Sequence, residues 1–320
     1  MARLLFFKLF AYTFLLLFTS SCYRVPDKLE PKISSIVQER YIKQLPSAFP
    51  PLSYQERKEE WGLEYFLAEK FAKELDLYRA VTSFKRAEFL LPSSNATRLP
   101  EIQYQILLCY YLGKRYEEVV FTFERSTLPK ADSSFPAYHD LLVILYESYE
   151  KTEEKEKAEN ILRLLEQKEA ETAKKLAISS ALINGDLTYL ENKALSDPSL
   201  TYLSDFLSDY KRKKKSVKEA QFLNTVLPGA GYLYVGQKQS ALTSFLLNGL
   251  FLAAAYHFFH KGHLAAGLIT TSFEAGWYFG GIYGAGEAAK LYNERLYEEK
   301  AYPILHRQGL FPVFLLKVGF

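Results

Sequence analysis

Three settings in this sequence place reactive side chains where chemistry is conceivable. Cys22 follows Thr19-Ser20-Ser21 at the end of a stretch in which Arg3 and Lys8 supply positive charge and residues 9–18 are apolar except for Thr13. A basic start, an apolar middle and small residues before a break are the parts of an export signal. Glu274 is the one charged residue within positions 264–285, and Asn248 lies within positions 241–259, which carry no charge. An ionisable group in so apolar a run is costly and calls for a partner. Counted outward from His260-Lys261-Gly262-His263, Asn248 and Glu274 fall at similar depth, so they are read as a polar pair with Glu274 protonated and Tyr278 within reach. His257, His260 and His263 recur every third residue, a spacing that can put two metal ligands on one helix face. Neither a carboxylate nor a cysteine accompanies them, and they are read as histidines at a hairpin tip.

The remaining motifs of catalysis are missing. No nucleophile elbow, phosphate loop or paired zinc motif is present. Gly229-Ala230-Gly231 follows no strand and opens no βαβ unit. The sequence is therefore read as non-enzymatic, with no cofactor and no metal. A net charge of +3 over 320 residues lacks the strongly basic face that nucleic acid demands. Two cysteines, Cys22 and Cys109, give no disulfide framework, and Cys109 is read as a buried helix residue. The 24 Tyr and 24 Phe suit helix seams or membrane interfaces.

The elements that would position these groups are helical. Residues 1–22 form the signal, and residues 23–58, punctuated by Pro26, Pro31, Pro46, Pro50 and Pro51, read as a tether. Leu67, Ala68 and Phe71, then Ala80, Phe84 and Ala87, and a closing Pro92 place small residues where two antiparallel helices cross and large ones in the gap beyond. Ile106, Leu107, Tyr110, Val119, Phe123 and Ser126 repeat the pattern, as do Leu145, Tyr146, Tyr149, Ala158 and Leu162. Ala80, Val119 and Ala158 are 39 residues apart, and a weaker fourth unit spans residues 171–197.

This pattern resembles the tetratricopeptide repeat, whose own period is about 34 residues. The resemblance implies an all-α fold in which residues 59–200 form a helical solenoid with a concave groove for a partner protein. Carried over from the family, the groove positions are Tyr65, Glu69, Tyr104, Leu108, Tyr111, Val143 and Glu147. Lys73 and Lys151 alone do not make a basic clamp for a chain terminus. Cys22 with its preceding serines resembles the lipobox of bacterial lipoproteins, although Thr19 stands where that family prefers Leu. The resemblance implies lipidation of Cys22; an ordinary signal or uncleaved anchor stays open.

From Gln221 charge nearly vanishes and glycine becomes common. Residues 201–220 read as a basic linker helix, residues 221–295 as a hydrophobic antiparallel helical hairpin, and residues 296–320 as an apolar tail packed on that hairpin or on an interface. Each apolar run is long enough to span a bilayer. Gly276, Gly280 and Gly284 recur every fourth residue, which presents a face without side chains to Ala253-Ala254-Ala255 for close helix packing. The region, through Leu227-Pro228-Gly229-Ala230-Gly231, Leu246-Leu247-Asn248-Gly249 and Phe273-Glu274-Ala275-Gly276-Trp277-Tyr278, resembles a two-helix module found in bacterial proteins beside tetratricopeptide repeats. That implies membrane association; two buried core helices of a compact domain remain the alternative. Lys211, Arg212, Lys213, Lys214 and Lys215 precede the hairpin, and Lys290 and Arg295 follow it, so the positive-inside rule puts both ends in the cytoplasm. An export signal puts the repeats outside it. The signal acts first in synthesis, and the cluster is then read as a contact with anionic lipid headgroups, each charge adding about 1 kcal/mol.

The expectation is a membrane-anchored scaffold of the bacterial cell envelope that binds a protein partner and membrane lipid and self-associates through the hairpin. The alternative is a small membrane transporter or sensor that uses Glu274.

Overall fold

The computed structural model describes residues 25–34 and 39–320, so Cys22 and the signal segment lie outside the described residues. The protein is all-α: helices follow one another along the chain, and the only pairing of extended backbone among the described residues is an isolated parallel bridge between Ser47 and Gly319. The described residues divide into two compact units, one comprising 33–198 and 301–320, the other 25–32 and 199–300.

The first unit is a row of helix pairs. Helices α1 (Glu60–Lys73) and α2 (Leu77–Leu90), α3 (Leu99–Leu112) and α4 (Tyr116–Arg125), α5 (Tyr138–Lys151) and α6 (Lys155–Lys168), and α7 (Ala170–Asn184) and α8 (Leu187–Ser196) each pack on the next in sequence. Ala80, Val119 and Ala158, spaced by 39 residues in the sequence, are all buried. The turns repeat with them. Leu75, Lys114 and Glu153, also 39 apart, adopt left-handed φ values of 62°, 57° and 62°. In each pair the next residue donates to the carbonyl five positions back: Asp76 N to Phe71 O, Arg115 N to Tyr110 O, and Glu154 N to Tyr149 O, each at 2.9 Å. This is the Schellman closure of a helix end. A left-handed non-glycine residue costs about 1 kcal/mol, and the closure satisfies carbonyls that would otherwise be orphaned. In the fourth pair the position is Gly185, with Asp186 capping α8 through Tyr189 N.

Residues 39–58 are not a free tether. Ile42 and Leu52 are buried, the Phe49 ring lies 5.8 Å from Tyr104 and 5.7 Å from Phe135, and Arg98 donates to Pro50 O and to Glu56. The prolines favour extended backbone, and the structure uses that backbone as packing material. Residues 310–320 likewise belong to this unit. The turn Pro312–Leu315 packs on α5 and α7, which corrects the expectation of a tail on the apolar helices.

In the second unit the expected linker helix is two helices, α9 (Thr201–Lys213) and α10 (Val217–Val226), both with buried faces. Phe206 and Tyr210 of α9 pack edge-on against Tyr297 at 5.2 and 5.5 Å. Val217, Ala220, Val235, Ala288 and Ala289 form a core that Val25 joins. Short α11 (Ala230–Val235) follows a tight turn, then α12 (Lys238–His260) and α13 (Leu264–Arg307), of which the residues up to Lys300 belong to this unit. Two glycines of the turn are sterically dictated. Gly229 has φ 95°, and a methyl on it would stand 2.3 Å from Ala241 O. A methyl on Gly231 would stand 2.2 Å from Ala220 O and 2.8 Å from Ala285 Cβ. Asn224 locks the same turn by accepting from Gly229 N at 2.8 Å.

Candidate functional site

Six of the seven groove residues lie in the interior. Tyr104, Leu108 and Val143 are essentially inaccessible, Tyr65, Tyr111 and Glu147 are buried, and only Glu69 is half-exposed, paired with Lys73 at 2.8 Å. The cause on α3 and α5 is that both sides of the helix are covered. Every residue from 101 to 112 on α3, and from 140 to 149 on α5, is buried. A helix that is apolar nearly all round is a core helix, and Ile102 to Leu112 reads that way in retrospect.

Instead of an open groove, the tyrosines form a ladder with carboxylates on the next helix pair. Tyr65 on α1 donates to Glu101 on α3, and Tyr111 on α3 donates to Glu147 on α5, both at 2.5 Å and both spanning 36 residues. Burial pushes the carboxyls of Glu101 and Glu147 above the usual carboxylate range, against the lowering effect of these hydrogen bonds. Arg98 joins the first rung, donating to Glu101 at 2.9 Å and to Glu56 at 2.9 Å. Its hydrogen bond is the largest influence on Glu56 and holds that carboxyl at about 2. Tyr104 Oη and both ends of the Gln105 amide are buried without a hydrogen-bond partner.

The outer cover of α5 and α7 is the chain's own segment 310–320. Leu310, Phe311, Val313, Leu316 and Phe320 are buried. Asp140 accepts from Lys317 N and Val318 N at 2.9–3.0 Å, and His139 Nε2 stands 3.0 Å from Leu315 O. Tyr41 Oη donates to Phe314 O and Leu316 O, and Gly319 N donates to Pro46 O at 2.8 Å. Lys317 Nζ reaches Glu169 at 2.8 Å. A residual cavity of about 30 Å³ survives beneath Pro312, beside Glu147, Glu150 and Ser179. None of Tyr41, Asp140, His139 or this segment was expected at the face from sequence. The available signal was that Glu101 and Asp140 are 39 residues apart, the same period as the packing alanines.

On α2 and α3 a separate cleft of about 740 Å³ opens to solvent, floored by Cys109 and Tyr110 and walled by Tyr78, Val81 and Phe89. Lys85, Arg86 and Arg115 lie on its lining, which includes no carboxylate. Burial pushes the Cys109 thiol far up, which makes it unreactive.

In the second unit the predicted pair does not form. Asn248 Nδ2 donates to Ser244 O at 2.6 Å, while Asn248 Oδ1, Ser244 Oγ and Glu274 Oε2 are buried without partners. The register explains it. Phe259 packs against Gly267, and Gly281 faces Ser244, which sets Asn248 level with residues 277 and 278, about one helical turn from Glu274. Tyr278 Oη donates to Thr225 O instead, at 2.6 Å.

The glycines are also reassigned. Gly276 and Gly280 are exposed, with nothing near a methyl placed on them, and Gly284 abuts Tyr232 on α11. The α13 glycines that meet α12 are Gly267 and Gly281. Of the basic cluster, Arg212 and Lys213 pair with Asp209, and Lys215 N donates to Asn293 while its ammonium lies 4.6 Å over the Tyr234 ring. Lys211 and Lys214 are exposed. His257, His260 and His263 are exposed near the α12–α13 turn, and no group of three metal-ligating side chains occurs among the described residues.

The outward face of α12 and α13 is apolar. Leu242, Phe245, Leu246, Leu250 and Leu252 on α12 are each more than half exposed, as are Leu264, Leu268, Ile269 and Phe273 on α13. Helix Lys238–His260 is long and apolar enough to cross a membrane, and it alone among the described helices passes that test. Comparison with protein-family models, with curated proteins and with solved structures found no match.

Proposed function

We propose that the protein is a non-enzymatic scaffold of the bacterial cell envelope, with a tetratricopeptide-like solenoid that holds a partner protein beside a membrane. In this reading α12 and α13 form a hairpin embedded in lipid, and acylated Cys22 supplies a second anchor. The observation that carries the reading is the band of exposed Leu, Ile and Phe on α12 and α13, on a chain whose other unit buries its second-helix anchors Ala80, Val119 and Ala158 while its first-helix anchor Leu67 is exposed. Apolar surface of that extent marks a membrane or protein contact. The exposed part of the Lys211 to Lys215 cluster suits contact with anionic headgroups.

The membrane part is tested by flotation with phosphatidylethanolamine–phosphatidylglycerol vesicles. The full chain should float, and a Phe245→Ser, Leu246→Ser, Leu250→Ser variant should stay at the bottom; equal flotation would remove the band from the argument. Fatty-acid labelling lost in Cys22→Ala supports the lipid anchor, and unchanged labelling defeats it. For the scaffold, a photoreactive residue placed in turn at Phe89 and Phe121 in membrane-held full chain should yield a discrete protein adduct. No adduct from either position nor from the face covered by residues 310–320 would sink it.

One observation favours a second reading. Glu274 Oε2, Asn248 Oδ1 and Ser244 Oγ are buried polar atoms without partners in the most apolar part of the chain, and such groups mark ion or proton paths. A small transporter or sensor built on Glu274 should lose its function in Glu274→Gln, whereas a scaffold should keep its adducts.

A further inference from the structure

Residues 310–320 contact the helix pairs as a bound peptide would. Recognition runs largely through backbone: carbonyls of Phe314, Leu315 and Leu316 face Tyr41 and His139, and the amides of Lys317, Val318 and Gly319 face Asp140 and Pro46. Backbone bonds give affinity to peptide segments of many sequences, while contacts with side chains choose among them. Here Val313 and Leu316 are buried, Phe311 is buried beside Tyr302 at 5.6 Å, and the Lys317 ammonium meets Glu169.

The period of the array shows that this face is made to be filled. Glu101 and Asp140 occupy equivalent places, 39 residues apart. Glu101 is satisfied within the helix pairs, by Tyr65 and Arg98. Asp140 receives its hydrogen bonds from the segment, through Lys317 N and Val318 N, with His139 Nε2 3.9 Å away. A buried carboxylate stripped of its donors is costly, so the face demands an occupant that offers two adjacent amides. The segment is also attached in a way that allows release. It follows exposed Arg307 and Gln308 and a left-handed Gly309 at φ 59°.

We propose that the α5–α7 face is a peptide-recognition site and that residues 310–320 are its resident ligand in cis, exchanged for a partner segment of the same chemistry that takes the same turn at Pro312–Leu315. That chemistry is aromatic and aliphatic side chains at the Phe311, Val313 and Leu316 places, followed by a lysine opposite Glu169. The inference rests on the reading of the array as a partner-holding surface. It names where the partner docks and what must leave first.

The test uses the full chain in detergent with a protease site inserted between Gln308 and Gly309. After cleavage, a fluorescein-labelled peptide with the sequence of residues 309–320 is added and followed by anisotropy. The cut chain should exchange its own segment for the labelled one, and the uncut chain should bind it at least about tenfold more weakly, because the tethered segment competes at high effective concentration. Asp140→Asn in the cut chain should weaken the labelled peptide by about tenfold, as should Lys317→Glu in the peptide, since each alters one charge-assisted contact. Circular dichroism of the cut chain is read alongside. No exchange, equal binding to cut and uncut chains, or loss of helix on cutting would each overturn the proposal and make the segment a fixed part of the fold. Such a failure leaves the scaffold reading standing if Phe89 or Phe121 still gives its adduct, because the partner would then dock elsewhere.

Discussion

The two units place similar residues to opposite ends. In the array, Trp61, Phe84, Tyr104 and Ile106 are sealed inside, and even the outer faces of α3 and α5 are covered, by residues 39–58 and 310–320. On α12 and the first part of α13, Phe245, Leu246, Leu250 and Phe273 point outward, while the buried positions are alanine, glycine and a few polar residues. One unit is organised by burying large side chains from water. On α12 and α13 small residues bring backbones close together, and the large side chains are left on the surface. The difference teaches that apolar content alone does not locate a core; the size of the residues at the helix contacts does.

The largest expected effect tests that contrast inside the second unit. Gly231→Leu would drive a side chain into Ala220 O and Ala285 Cβ, backbone and a rigid methyl that cannot swing aside. Denaturant unfolding in detergent should show a loss of about 3 kcal/mol or more. Gly280→Leu, on the open side of α13, should change stability by less than about 1 kcal/mol. Equal losses would mean that close backbone contact is not what organises this unit. In the array the sensitive residues should be large. Phe84→Ala is expected to cost about 3–5 kcal/mol, against less than about 0.5 kcal/mol for exposed Phe89→Ala.

Much of the array was legible in the sequence, and the reason is its period. Ala80, Val119 and Ala158 lie in the helix crossings, and Asn184-Gly185-Asp186 makes the fourth turn with Gly185 left-handed and Asp186 as the cap. Spacing within helices reports which residues meet a neighbouring helix. It does not report what lies on the far side. Tyr65, Tyr104 and Tyr111 were assigned to a groove because family geometry leaves that side open, whereas Phe49, Arg98 and residues 310–320 close it through contacts 40 to 180 residues away in sequence. The Asn248–Glu274 pairing failed for a related reason. Counting from the loop fixes depth only if the turn is symmetric, and the contacts of Gly267 and Gly281 show a register offset by about one turn. Gly229 and Gly231 were readable because a tight turn and close approach need no long-range information.

A smaller effect probes the tyrosine–carboxylate ladder, which has no counterpart among the second unit's orphaned polar atoms. Tyr111→Phe leaves Glu147 with Tyr116 Oη at 3.4 Å as its remaining hydrogen-bond donor. The variant should lose about 1–3 kcal/mol, the usual cost of stranding a buried acceptor. Paired with Glu147→Ala, which removes the acceptor, in a double-mutant cycle, it should show coupling of at least about 0.5 kcal/mol. Additive losses would reduce the ladder to incidental contacts.

The smallest effects are in the pH dependence of the array, where the rungs carry opposite signs. Glu56 is held at about 2 by Arg98, below its ordinary 4.5. A carboxyl depressed on folding stabilises above its unfolded pKa and loses that contribution as pH falls through the folded one. Stability owed to Glu56 should therefore be full above about 4.5 and fade toward about 2. Glu147 is pushed upward, by burial first, so it binds its proton more readily folded than unfolded. Its contribution is fully present below the unfolded pKa and declines as pH rises through the folded one. The array should be most stable in mild acid, between these two limbs. Glu56→Gln should flatten the acid limb, by on the order of 1 kcal/mol after allowance for the solvent this ion pair still meets. Glu147→Gln, which keeps an acceptor for Tyr111 but cannot ionise, should flatten the neutral limb and leave the acid limb as it was. Thermal unfolding from pH 3 to pH 8 reads both, and a wild-type profile that climbs steadily to neutrality would show that burial of Glu147 does not set it.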